Sequence, residues 1–314
     1  MSFVGGIDLG GTKIEARLFD QDWHVLQTRR ILTPTDDYSN LLDGLADQIA
    51  WLRAEASAPL LPIGVGAPGL VNPTTGLALT ANLPASGRPL PKDLAARVGQ
   101  SIPFINDCRA FALSEAVFGA GKDDRAVAGL VIGTGVAGGM VVDKLPLPTL
   151  NGMGGEIGHV PIPYPVMKRL ALPERVCGCG RTACFETVLA GPGLSALAVH
   201  MTGAQLTGEG FAKLIRSGDR DARAIYDTWL DVATALIDMI MMTYDPDRIV
   251  LGGGLSLLPD LTDELSKRTK AQALPGTIVP ALSLAEGGDS SGARGAAWFA
   301  RQVSGDVPEK AGVA

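Results

Sequence analysis

GIDLGGTKIEARLFD (residues 6–20) lays without a gap on GLVIGTGVAGGMVVD (residues 129–143). Each copy reads as an apolar strand, a glycine turn and a second strand. In the first copy, alternation through Ile14, Ala16 and Leu18 marks a half-buried face. The likeness is one of pattern more than of identity. Two hairpins so far apart predict two related lobes, because a solenoid repeats every ~20–50 residues. Their glycine turns would then close on one ligand.

Outward from the hairpins the chain reads as mixed α/β. A helix is expected at residues 38–54, a buried strand at 61–65, a turn at Ala67-Pro68-Gly69 and a strand-to-helix junction at 104–119. Helical patterning returns at 192–202, 210–217 and 222–244, followed by a buried strand at 248–251. The 314 residues, 46% hydrophobic and 19% charged, suit a packed chain of two domains at about 150 residues each. The 40 glycines far exceed the usual share of about 7%, which points to tight turns and to backbone lying close to a ligand. A net charge of −6 opposes a broad grip on nucleic acid. MSFVGGIDLGG has no basic n-region, and no apolar run of about 18 residues follows, so a soluble, cytoplasmic protein without a membrane partner is expected.

In Asp8-Leu9-Gly10-Gly11-Thr12-Lys13 the glycines would let backbone N–H groups approach phosphate oxygens. Thr12 adds a hydroxyl, and Asp8 is suited to organising a hydrated Mg²⁺. Alone, this is also an ordinary hairpin; the second turn, with Gly133, Thr134, Gly135 and Gly138, strengthens the phosphate reading. Residues 133–138 satisfy G-x-G-x-x-G as well, but Met140-Val141-Val142 continues as strand where a dinucleotide fingerprint opens a helix. No P-loop sequence occurs. A third cluster, Gly252-Gly253-Gly254, follows Ile249-Val250-Leu251; nucleotide contact at Gly253 and Gly254 and a plain strand-to-helix turn both remain open.

Cys177, Cys179 and Cys184, with His159 upstream, supply three thiolates and an imidazole, a complete tetrahedral shell for a structural Zn²⁺. Disulfides are the alternative, which the close spacing disfavours. Glu156 and Glu186 flank this cluster, and a metal would position both carboxylates; a solvated surface acid and a partner for a sugar hydroxyl are the two readings of each. Asp107 falls where a strand ends and a helix begins, so an N-cap is its plainer reading; the functional one makes it a general base, with Asn106 orienting the substrate.

DLGGTK, GAPG, IND, GTGVAGG, EIGH, CGCGRTACFE and IVLGGGLS occur in this order, and the chain from about residue 4 to 301 resembles the ROK family (repressor, open reading frame, kinase). The resemblance implies an actin-like, ribonuclease H-like ATPase fold. Its smaller domain would cover residues 1–119 completed by a helix at 290–302, its larger domain 120–289 with the zinc loop, and a loose tail 303–314. It also implies ATP, Mg²⁺, a hexose-type sugar and a homodimer. By resemblance Asp107 is the catalytic base, the phosphates lie at Gly10–Lys13 and Gly133–Gly138, and the sugar meets Asn82, Asn106, Asp107, Glu156, His159 and Glu186. His159 would divide its two ring nitrogens between zinc and sugar.

TPTDDY, ANLPASGRPL, FALSEA and YDPDRIVLGGGLS look most like the bacterial N-acetyl-D-glucosamine kinases, which implies phosphorylation at O6. A glucokinase, an N-acetylmannosamine or other hexose kinase, and a sugar-sensing regulator are the alternatives. The regulator is disfavoured because the first hairpin starts too early for a DNA-binding domain ahead of it. Two positions depart from the family pattern: Cys108-Arg109 stands where Ala-Asn is usual, and Ala183 where a glycine precedes the last cysteine.

Overall fold

The computed structural model describes residues 3–288 and 291–305; the end of the expected tail lies outside them. In chain order the elements are β1 (Val4–Leu9), β2 (Lys13–Phe19), β3 (Val25–Leu32), α1 (Tyr38–Ala56), β4 (Ile63–Ala67), β5 (Leu70–Val71), β6 (Ala78–Leu79), α2 (Leu90–Val98), β7 (Phe104–Asn106) and α3 (Asp107–Phe118). There follow β8 (Ala126–Ile132), β9 (Val136–Val142), β10 (Leu145–Pro146), α4 (Tyr164–Arg169), α5 (Glu186–Leu189), α6 (Gly191–Thr202), α7 (Gly208–Arg216), α8 (Arg220–Tyr244), β11 (Arg248–Gly252), α9 (Leu261–Gln272), β12 (Ala281–Leu284) and α10 (Ser291–Val303).

Two units emerge. One holds the chain up to Glu115, Pro146–Gly154 and the chain from Gly287; the other holds Ala116–Leu145 and Gly155–Glu286. Pro146–Gly154, expected in the larger domain, therefore belongs with the first unit. The first sheet runs β3-β2-β1-β4-β7 and the second β10-β9-β8-β11-β12. In each, an antiparallel hairpin (β1/β2 or β8/β9) is followed by two strands added in parallel (β4 and β7, or β11 and β12). The duplicated sequence pattern is thus a duplicated sheet topology.

The gapless overlay is out by one residue. Four residues separate the pair Leu9 and Ile14, closed by Gly10 N–H donating to the Lys13 carbonyl at 2.9 Å. Three residues separate Ile132 and Val136, closed by Gly133 N–H donating to the Gly135 carbonyl at 2.9 Å. Because strand side chains alternate, one residue decides which face each occupies.

In the first unit α1 lays Leu41, Leu42, Leu45, Ile49 and Leu52 against the sheet, an apolar stripe at helical spacing. Asp37 starts the helix by accepting N–H bonds from Ser39 at 2.7 Å and Asn40 at 3.2 Å. α10 covers the opposite face through small residues. A Cβ on Gly6 would collide with the Ala293 carbonyl, one on Gly64 with that of Ala296, and one on Gly295 with that of Ala110. β2 is therefore buried on both faces, not half-buried. Glu15, on the face expected to meet solvent, is only 1% exposed, and Arg17 and Arg30 pair with it. In the second unit α8 starts at the Asp219 cap and buries Ile225, Trp229, Leu230, Leu236 and Ile237 along one side. No helix among the described residues is long and apolar enough to cross a membrane.

Candidate active site and metal centre

The first unit brings together the glycine turn, Asp8, Asn82, Asn106 and Asp107. Gly11 and Thr12 form the exposed tip of the β1–β2 hairpin, and a Cβ on Gly11 would lie 3.8 Å from that of Asn82. Asn82 sits on a stapled loop: Ser86 Oγ accepts from Thr80 N–H at 2.9 Å and donates to the Thr80 carbonyl at 2.8 Å, while Thr80 Oγ1 donates to the Leu83 carbonyl at 3.0 Å. Residue spacing gave no signal for this staple. Lys13, expected at the phosphates, holds its ammonium 3.5 Å from Glu15 Oε2 with the side chain 47% exposed.

At the head of α3 the cap is Asn106, not Asp107. Asn106 Oδ1 accepts from Arg109 N–H at 3.1 Å, and its Nδ2 donates to the Gly69 carbonyl at 2.9 Å, tying helix to turn. Both ends of the amide that was expected to orient the substrate thus hold backbone. Asp107 does not cap the helix; its Oδ1 accepts from the adjacent Cys108 N–H at 2.7 Å. Burial raises the Asp107 carboxyl above its usual range against the Cys108 bonds. Burial first, then the charges of Asp107 and Glu15, push Asp8 up to about 6, against Lys13 and Arg17. Two carboxyls of strengthened proton affinity beside a glycine turn make this cluster the candidate active site of the first unit.

The second unit holds the other turn, the acids and the cysteines. Gly133, Thr134 and Gly135 form the tip of the β8–β9 hairpin, but Gly138 does not. It lies inside β9, its N–H donates to the Gly155 carbonyl at 2.8 Å, and a Cβ there would strike the Gly129 carbonyl. Its glycine serves close packing, so Gly138 is withdrawn from the phosphate loop. Gly253, at φ +83° and under the Ile132 carbonyl, is likewise required by the backbone, whereas Gly254 faces open space.

Glu186 links this turn to the cysteine loop. Its Oε2 accepts from Val136 N–H at 3.0 Å, and its Oε1 lies 3.9 Å from His159 Nδ1 and 3.7 Å from Cys177 Sγ. His159 stands on a turn that Gly155 and Gly158 press against β9, where side chains would strike the Gly138 and Val136 carbonyls. Nδ1 of His159 faces Cys177 Sγ at 3.4 Å, and Nε2 faces Glu156 at 3.7 Å.

Cys179 and Cys184 place their sulfurs 3.7 Å apart, and the donor atoms of His159, Cys177, Cys179 and Cys184 all lie within 4.8 Å of one another. All four cysteines of the chain are free. Metal–sulfur bonds of about 2.3 Å in a tetrahedron set two sulfurs about 3.8 Å apart, against about 2.05 Å in a disulfide, so the donor set fits an ion. Burial and the neighbouring thiols push Cys184 up to about 12, so this thiol keeps its proton at neutral pH unless a cation offsets the crowding.

The family model described as "ROK family" matches residues 4–303. The chain belongs to the ROK family. Its relatives include the N-acetyl-D-glucosamine kinase of Pectobacterium carotovorum subsp. carotovorum (strain PC1), 35% identical over 295 residues, 93% of this chain and 97% of that one. The N-acetylgalactosamine kinase AgaK of Shewanella sp. (strain ANA-3) is 35% identical over 307 residues, 98% and 99% of the two chains. Among solved structures, a ROK hexokinase from Thermus thermophilus superposes with a TM-score of 0.85 at 29% identity, covering 97% of this chain and 100% of that one.

Proposed function

We propose that this ROK protein is an ATP-dependent sugar kinase that phosphorylates N-acetyl-D-glucosamine at O6. The observation that carries the reading is Asp107, a half-buried carboxylate with raised proton affinity at a helix start that Asn106 already caps. In the reaction, the O6 oxygen attacks the γ-phosphorus, the bond to the ADP oxygen breaks, and the O6 proton passes to Asp107. A carboxylate that binds protons more strongly than usual is the better acceptor.

Backbone N–H groups at Gly11 and Thr12, and at Thr134 and Gly135, are the proposed phosphate donors, since those of Gly10 and Gly133 close the hairpins, and Mg²⁺ beside Asp8 would offset the phosphate charge. Asn82 and Asp107 are the proposed sugar contacts of the first unit, with Asn106 placing Asp107, and Glu156, His159 and Glu186 are those of the second. In this reading His159 gives Nδ1 to a structural Zn²⁺ with Cys177, Cys179 and Cys184, leaving Nε2 for the substrate, and the metal's contribution is to fix the ring. The repeated sheet order supports an actin-like ATPase fold. A homodimer belongs to the same proposal, to be checked by light scattering on the eluting protein.

Names of relatives at equal identity point to both N-acetylglucosamine and N-acetylgalactosamine. The deciding experiment is ADP release with ATP and Mg²⁺, comparing these two sugars with glucose, N-acetylmannosamine and fructose. A preference for N-acetylglucosamine supports the reading. Preference for another sugar changes the substrate, and absence of turnover with all five sinks the kinase.

A further inference from the structure

Arg109 stands two residues beyond Asp107, on the same helix, α3. Its guanidinium is largely enclosed, and burial lowers its pKa. Among the described residues it forms no ion pair. Its partners are neutral: Nη2 donates to the Leu147 carbonyl and Nη1 to Thr149 Oγ1 at 3.3 Å. A charged group taken from water to hold two neutral oxygens is costly unless what it holds matters.

What it holds is the segment Pro146–Gly154. The other ties of this segment are weaker and exposed: Asn72 Nδ2 to Asn151 Oδ1 at 3.0 Å, and Thr74 Oγ1 to the Leu150 carbonyl at 3.4 Å. Thr149, the residue Arg109 grips, lies under Gly154, where an added Cβ would sit 2.6 Å from Thr149 Cγ2. Gly155 follows at φ +108° with no space for a side chain, and Glu156 comes next.

We propose that Arg109 is a positioning residue for the sugar, fixing Thr149 and Gly154 and hence the point at which the chain turns into Glu156 and His159. The proposal rests on the kinase reading for what the acids contact. Arg109→Met keeps length and removes the donors. It is expected to raise both the KM for N-acetylglucosamine and its Kd, measured by calorimetry without ATP, about tenfold, the effect of losing one charge-assisted hydrogen bond. The KM for ATP should stay within about twofold, and amide exchange at 147–154 should quicken.

Arg109→Lys, which keeps one donor, should fall between. Thr149→Val, the milder change and the fallback if the Met variant does not fold, should raise the sugar Kd about threefold and add little to Arg109→Met. An unchanged sugar Kd, unchanged exchange, or an equal rise in both KM values overturns the proposal. Wild-type protein that binds the sugar without releasing ADP would instead remove the kinase reading and leave the Kd comparison to judge Arg109.

Discussion

Replacing Asp8 by Asn should make the protein more stable at neutral pH while reducing its activity. The carboxyl is pushed from 3.8 to about 6 by burial and by the charges of Asp107 and Glu15. Between those values the folded protein binds a proton that the unfolded chain does not, so stability falls as pH rises through this window, and the loss is complete above about pH 6. At about 1.4 kcal/mol per pH unit the full penalty is about 3 kcal/mol. Asp8 is not sealed from water, which reduces the expected gain of Asp8→Asn to about 1–3 kcal/mol at pH 7.5. Near pH 4 the variant and wild type should converge. Urea unfolding followed by circular dichroism from pH 4 to 8 measures both. A variant no more stable than wild type at pH 7.5, or stabilised equally at pH 4 and 7.5, would refute the reasoning. A carboxylate kept in place at such a cost is expected where function requires its charge.

Other consequences are as direct. Asp107→Asn keeps an acceptor for Cys108 N–H and leaves the Asn106 cap untouched, so folding should be unimpaired while turnover drops about 10²–10⁴-fold; turnover within tenfold of wild type would remove Asp107 as the base. Elemental analysis should find about one zinc per wild-type chain and none in Cys179→Ser, whose sugar binding should weaken; retained metal with unchanged affinity would disconnect the two. Ala183 occupies the left-handed region at φ +56°, so Ala183→Gly should relieve about 1 kcal/mol and raise the melting temperature of the metal-loaded protein, and a fall would contradict that backbone. Gly64→Ala would drive α10 off the sheet and should cost about 2–3 kcal/mol in urea unfolding; a neutral result would mean the helix shifts freely.

What the sequence disclosed follows from which interactions are local. Turn chemistry and spacing are local, so both hairpins, α8 and the His159–Cys184 cluster were legible. β3 was not: nearly all its side chains face solvent, and only pairing with β2 makes it a strand. α10 binds through Gly6, Gly64 and Gly295, whose role in close backbone approach no hydrophobic pattern announces.

The division of labour between Asn106 and Asp107 shows the limit most sharply. Both residues suit a helix start by composition, and adjacency makes them interchangeable on paper. Only the direction of the Arg109 N–H, toward Asn106 Oδ1, separates them. That single bond turns the plainer reading of Asp107 into the weaker one. A half-buried acid with raised proton affinity that is not needed as the helix cap is the residue on which the proposed base catalysis is tested first, by Asp107→Asn.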